Sequence, residues 1–204
     1  WGLGTILIDP GVLPEPTLEA DISRQRVAQA AGTTLEALLA RSDKAFAIAK
    51  QTEGLCNIVI DLHQEGQIQG IVGLGGGQGT SIATAAMRAL PIGVPKLMLS
   101  TVASGLFQFG PYVGTKDICM MHSVTDVLGL NVISRPILRN AANAIAGMVL
   151  QFQVEAEATR PAIAITMLGI TTPCVMRVKD SLENQGYDVV PFHANGTSGP
   201  AMEQ

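Results

Sequence analysis

Ile68-Gln-Gly-Ile-Val-Gly-Leu-Gly-Gly-Gly-Gln-Gly-Thr80-Ser81 decides how this 204-residue chain folds. Ile71, Val72 and Leu74 lead into five glycines between positions 73 and 79, and an Ala-rich helical pattern follows over 82–90. A strand, a turn almost without side chains and a helix start together aim several backbone N–H groups at one point. The helix N-terminus adds its partial positive charge. That combination makes an anion seat, and a nucleotide phosphate is its natural occupant. The competing reading is a tight turn where a helix packs closely on a strand. Neither standard nucleotide fingerprint applies. No Lys stands between Gly79 and Thr80 as a Walker loop needs, and a Gly-x-Gly-x-x-Gly pattern begun at Gly73 ends on Gln78.

Working outward, the pattern predicts a strand over 5–9, then Pro10-Gly11 and a Pro-rich loop to Pro16. Asp21 is positioned to cap a helix ending near Ala31, and Thr33 or Thr34 one ending near Ala40. Ser42 or Asp43 opens a longer helix to about Gly66, with Ala45, Ile48, Ala49, Leu55, Ile58, Val59 and Leu62 on its buried face. Its periodicity is imperfect over 52–57. Strands are expected at 68–73, 96–100 and 118–121, helices at 80–90 and 134–150, and a long loop at 101–114. The polar stretch 151–160 reads as a linker. After it the pattern restarts with strand 162–167, loop 169–173, helix 174–185, strand 187–192 and loop 193–200. Strands alternating with helices give an α/β fold with a mainly parallel sheet. The first domain covers 1–154, and 155–204 is the start of a second.

Hydrophobic residues make up 47% of the chain and charged residues only 15%, which suits a parallel sheet buried on both faces. The apolar runs fall well short of the ~18 residues that span a bilayer, and no signal peptide is visible, so no membrane role is expected. A net charge of −4 without a basic patch argues against nucleic acid. Cys56, Cys119 and Cys174 are odd in number and sit in apolar contexts. They are expected to be buried free thiols in a reducing, cytoplasmic compartment. The chain opens on Trp1 rather than Met and stops at Gln204 within what reads as a helix start, so a piece trimmed at both ends is expected.

In open α/β sheets, ligands sit beyond the carboxyl ends of the strands. Loops 73–81, 101–105, 169–172 and 195–199 occupy such ends, are rich in Gly, Ser and Thr, and carry no charge. Two come from each domain, so the expected ligand lies in the cleft between them. Lys116 could neutralise a phosphate, and Asp117 or Asp126 could hold Mg²⁺ through water. The alternatives are a solvated turn charge for Lys116 and a helix cap for Asp126. His122 at a strand end reads as a hydrogen-bonded structural residue or a general base, His193 as a ligand contact, and His63 as solvated. No Ser/His/Asp order, Cys–His nucleophile pattern or metal-ligand spacing stands out.

Several ordered blocks now point to a family. They include Gly73-Leu-Gly-Gly-Gly-Gln-Gly-Thr80, the run from Ala83 to Met98, Ser100-Thr-Val-Ala-Ser-Gly105 and Tyr112-Val-Gly-Thr-Lys-Asp-Ile-Cys-Met-Met121. Gly169-Ile-Thr-Thr-Pro-Cys174 and Phe192-His-Ala-Asn-Gly-Thr-Ser-Gly199 continue the match. Together they resemble the Tm-one-like ATP-binding domain family over nearly the whole chain. The resemblance implies two Rossmann-like domains, ATP as ligand with or without Mg²⁺, and a homodimer. By position it implies phosphate contacts from Gly75, Gly76, Gly77, Gly79 and Thr80, with further contacts from Ser104, Thr171, Thr172, Thr197 and Gly199. The family's opening strand and Gly-Thr-x-Asp-Thr-Lys loop have no counterpart from Trp1 onward.

Three functions are therefore open. One is nucleotide binding without turnover. The second is an enzyme acting on a phosphorylated or acidic small molecule, with Asp117, Asp126 or His193 as working groups. The third is a protein-interaction module anchored by Phe107 and Phe109.

Overall fold

A computed structural model of the chain describes residues 2–13, 16–105, 108–152, 160–196 and 198–203. They form two compact units, 1–152 and 153–204.

The first unit begins with three helices, α1 (Arg24–Ala30), α2 (Leu35–Ala40) and α3 (Lys44–Gln64). Ser23, Thr34 and Asp43 cap them by accepting the N–H groups of Arg26, Ala37 and Phe46. Asp21, the expected first cap, instead accepts the Leu7 N–H at 2.7 Å. The irregular stretch of α3 has a packing cause. A Cβ on Gly54 would fall 1.9 Å from the Val27 carbonyl oxygen, so α1 crosses α3 where the side chain is missing. Fully buried Gln51 donates from Nε2 to the carbonyls of Gly11 and Arg24, and the Arg24 guanidinium pairs with Asp9 at 2.6 Å. These bonds tether the N-terminal segment to the helices. The strand expected over 5–9 does not form. Among the described residues its only ladder contact is one parallel bridge, Ile8 to Ile22, and Leu7 is 45% exposed. Apolar alternation alone does not make a strand without a neighbour to pair with.

β1 (Ile71–Gly75), β2 (Lys96–Ser100) and β3 (Cys119–His122) form a parallel sheet in the order β1-β2-β3. β2 is central and buried at all five positions. α4 (Gly77–Ala89) covers one face, where Met87, Met98 and Ile118 pack with Ala83 and Met120. α6 (Ser134–Leu150) covers the other, where Leu97 and Leu99 pack against Ala141, Ile137 and Ile145. Each fully buried Leu or Met here contributes about 1.5–3 kcal/mol. A larger cluster joins Leu55, Ile58, Val59 and Leu62 of α3 to Ile82, Ala86 and Leu90 of α4. The short α5 (Gly110–Val113) interrupts the loop expected over 101–114.

The second unit pairs β4 (Ala162–Met167) in parallel with β5 (Asp188–His193). Between them run a 3₁₀ turn (Gly169–Thr171) and α7 (Thr172–Glu183), and α8 (Ser198–Met202) follows β5. The fold is thus mixed α/β, with parallel strands in small sheets. No helix among the described residues is long and apolar enough to cross a membrane. The three cysteines are free, but they are not all buried as expected. Cys56 is half-buried, while Cys119 and Cys174 are exposed, the first opening edge strand β3 and the second lying in the first turn of α7.

Candidate functional site

β1 runs two residues further than its hydrophobic lead suggested, and α4 starts three residues earlier than the expected 80. The glycine loop thereby contracts to a single residue, Gly76, at the N-cap of α4. None of the five glycines has positive φ. Left-handed backbone is therefore not the reason for them, and space separates them into two groups. A Cβ on Gly73 would meet Ala83 Cβ at 2.7 Å and Met98 Sδ at 2.8 Å, and one on Gly75 would meet Gly79 Cα at 2.9 Å. These two let the helix lie close on the strand. At Gly76, Gly77 and Gly79 the nearest atoms would be 3.5, 4.0 and 3.6 Å away, which is ordinary contact. Neither backbone conformation nor internal crowding requires glycine there. The missing side chains instead leave the mouth of α4 open.

The N–H groups of Gly77, Gln78 and Gly79 precede the first intrahelical bond, from Thr80 N–H to the Gly76 carbonyl at 2.7 Å. No side chain caps this end. Three donors and the positive end of a 13-residue helix therefore converge on the mouth. Gly77 and Gln78 are exposed there.

Thr80 stands apart from the glycines. Its side chain is fully buried and its Oγ1 lies 2.6 Å from Ser100 Oγ, which in turn accepts the Val102 N–H. With its N–H bonded to Gly76 as well, Thr80 holds α4 on β2. In the sequence Ser100 stands only as the start of a matched block, with no role of its own; its place opposite Gly75 in the strand register brings it to Thr80. Ser104 is half-buried in the turn after β2, beside this end of the sheet.

The opposite end of the sheet holds the charge. Lys96 Nζ is fully buried and donates to the carbonyls of Pro91 and Val94 and to Asp117 Oδ1, at 2.7, 2.8 and 2.8 Å. Asp117 Oδ2 accepts the Gly93 N–H at 2.8 Å. Burial pushes the Asp117 carboxyl up, but the bonds from Lys96 and Gly93 outweigh it and hold the carboxyl below its ordinary range. Asp117 precedes β3, so it lies at the amino ends of the strands, away from the glycine mouth. Its partner is Lys96, not the adjacent Lys116. Asp126 accepts the N–H of Val127, and Asn131 takes over helix capping by accepting the N–H groups of Ile133 and Ser134. Among the described residues no group of three or more His, Cys, Asp or Glu side chains could hold a metal.

In the second unit, the Thr171 and Thr172 hydroxyls both bond the Leu168 carbonyl and so cap their own turn. Gly199 lies within the five-residue α8, and His193 is exposed at the end of β5. Thr197 and Phe107 lie outside the described residues, as do 153–159 of the expected linker, while Phe109 is 38% exposed.

With this geometry in hand, comparison with known proteins places the chain. Residues 1–154 match the N-terminal domain of an uncharacterised protein family, UPF0261, and residues 160–204 match that family's C-terminal domain. A UPF0261 protein of Clostridium tetani is 47% identical over 202 residues, covering 99% of this chain and 50% of its own length. The tomato ToMV resistance protein Tm-1 is 42% identical over 165 residues, 78% of this chain and 22% of its own. The tomato ToMV susceptible protein tm-1 is 43% identical over 162 residues, 77% of this chain and 21% of its own. The chain belongs to the UPF0261 family, and the tomato proteins are its homologues. It spans about half the length of the Clostridium relative.

Proposed function

We propose that the chain binds ATP through its phosphates at the mouth of α4, within a Rossmann-like domain. The observation that carries this reading is the open glycine set. Gly76, Gly77 and Gly79 are free of any internal need for glycine, and they surround three N–H groups without a partner among the described residues. A phosphate oxygen fits such donors, and the helix end favours its charge by about 0.3–1 kcal/mol, up to roughly 2 kcal/mol where partly buried. Gly75 serves by keeping Gly79 close rather than by touching the ligand. Ser104 is placed to add a hydroxyl from the next loop. Bound Mg²⁺ would travel with the nucleotide and offset part of its charge.

Binding without turnover is the favoured form. The candidate base Asp117 is committed to Lys96 at the far end of the sheet, and the mouth itself is made of uncharged residues. The homologous tomato pair, one named for resistance and one for susceptibility, matches this chain about equally. The shared region is therefore read as a nucleotide-binding base rather than as the source of resistance.

A second reading, as a protein-interaction module, is favoured by one observation. Between β3 and α6, Val124, Leu128, Leu130 and Val132 are 62%, 83%, 63% and 89% exposed. A contiguous apolar loop of this kind marks contact surfaces, and a homodimer is the simplest such contact. Titration calorimetry with Mg·ATP on the wild type and on Gly77→Val tests the first reading. Saturable binding that the substitution removes supports it, and equal binding by both sinks it. Sedimentation of the chain with and without Leu128→Ser tests the second.

A further inference from the structure

We propose that His122 contacts the anion held at the α4 mouth, and that its protonation strengthens binding as pH falls. The proposal rests on the reading of that mouth as the ligand seat. Strand register supplies the geometry. Gly75, Ser100 and His122 lie opposite one another across the sheet. Neighbouring strands are ~4.8 Å apart, so the backbone of His122 stands roughly 10 Å from that of Gly75. An imidazole and a phosphate group together span that gap.

Alternation along β3 fixes the face. Met120 packs with Met87 and Met98 on the α4 side, and His122, two residues on, shares that side. Ser100 in the same row meets Thr80 of α4 there. His122 is half-buried and makes no hydrogen bond or ion pair among the described residues. Three residues further along the same carboxyl edge, Thr125 Oγ1 is buried without a partner. That buried hydroxyl has no partner among the described residues, and a polar ligand at this strand end would satisfy it.

The surrounding charges do not compete for the imidazole. On β2, Lys96 is four residues away at the far end and is bonded to Asp117. On α4, the Arg88 guanidinium donates to the carbonyls of Pro111 and Tyr112. α5 contributes the Tyr112 phenol, Lys116 lies before β3, and the Asp126 carboxylate accepts the Val127 N–H. Loop 101–105 is uncharged. Imidazoles gain their proton within the physiological range, and a protonated ring donates to a phosphate oxygen.

The test is Mg·ATP affinity at pH 6 and pH 8 for the wild type and His122→Gln. The ligand's own protonation is common to both proteins, so the ratio between them isolates the side chain. The wild type is expected to gain roughly fivefold more from acidification than the variant, as a partly solvated charge contact would give. A parallel NMR titration of the wild-type imidazole is expected to shift to higher pH when ATP is added. Equal gains in both proteins, or an imidazole titration that ATP does not move, overturn the role of His122 while leaving the α4 seat intact. No ATP binding by either protein at either pH overturns the seat as well.

Discussion

The two ends of the three-stranded sheet are built on opposite plans. At the amino ends, a buried lysine uses all three of its donors and a carboxylate accepts on both oxygens. Lys96 satisfies two carbonyls and Asp117, and Asp117 returns to the Gly93 N–H. At the carboxyl ends the glycine mouth itself is uncharged and donors are left over, at the Gly77, Gln78 and Gly79 amides of α4 and at the Thr125 hydroxyl after β3, with half-buried His122 closing that strand. Buried polar groups are normally paired, so a satisfied end speaks for stability and an unsatisfied one for a ligand. The two ends should therefore respond to mutation in different currencies, folding at one and binding at the other.

The largest stability loss is expected from Lys96→Met. It leaves two carbonyls without a donor and costs about 2–4 kcal/mol in chemical denaturation. Mg·ATP affinity of the folded protein should stay unchanged; a large drop in affinity would blur the division between the ends. Gly77→Val should do the reverse. It is expected to weaken ATP binding by at least about tenfold, with a stability change below about 1 kcal/mol. Gly75→Ala separates the two glycine groups, because its Cβ has no room beside Gly79. A destabilisation of about 1–3 kcal/mol is expected, and a neutral result would remove the packing role assigned to Gly75. Thr80→Val leaves Ser100 short of its buried partner and should cost about 1–2 kcal/mol while sparing ATP affinity.

The smallest effect is on pH dependence. Asp117 has a lowered folded-state pKa, so the stability it contributes is present above the ordinary carboxylate range. That stability is lost as pH falls through the depressed folded value. Asp117→Asn should flatten this acid limb of the stability profile, read as denaturation midpoints between neutral and acidic pH. An unchanged limb would show that the pair with Lys96 contributes little.

Much of this contrast was legible in the sequence, and the reasons differ by residue. The strand–glycine–helix signal gave β1, α4 and the existence of the mouth, because hydrophobic periodicity and glycine clustering are local. β2 and α6 were bounded by their own patterns for the same reason. What could not be read was anything set by pairing. Thr80 looked like a ligand contact because its partner Ser100 is twenty residues away and becomes a neighbour only through strand register. Asp117 looked available for Mg²⁺ because the turn that brings Lys96 to it is not visible in sequence order. The segment 5–9 has strand composition, but whether a strand forms depends on a neighbour. Cys119 looked buried because its flanks are apolar, while its place on an edge strand exposes it.

An amide-resolved NMR titration with Mg·ATP compares the two ends in one experiment. The account predicts saturable shifts at the Gly76, Gly77, Gln78 and Gly79 amides, with residues 93–96 and 117 unmoved. Shifts confined to the Lys96–Asp117 end, or no saturable shift at the mouth of α4, would contradict it.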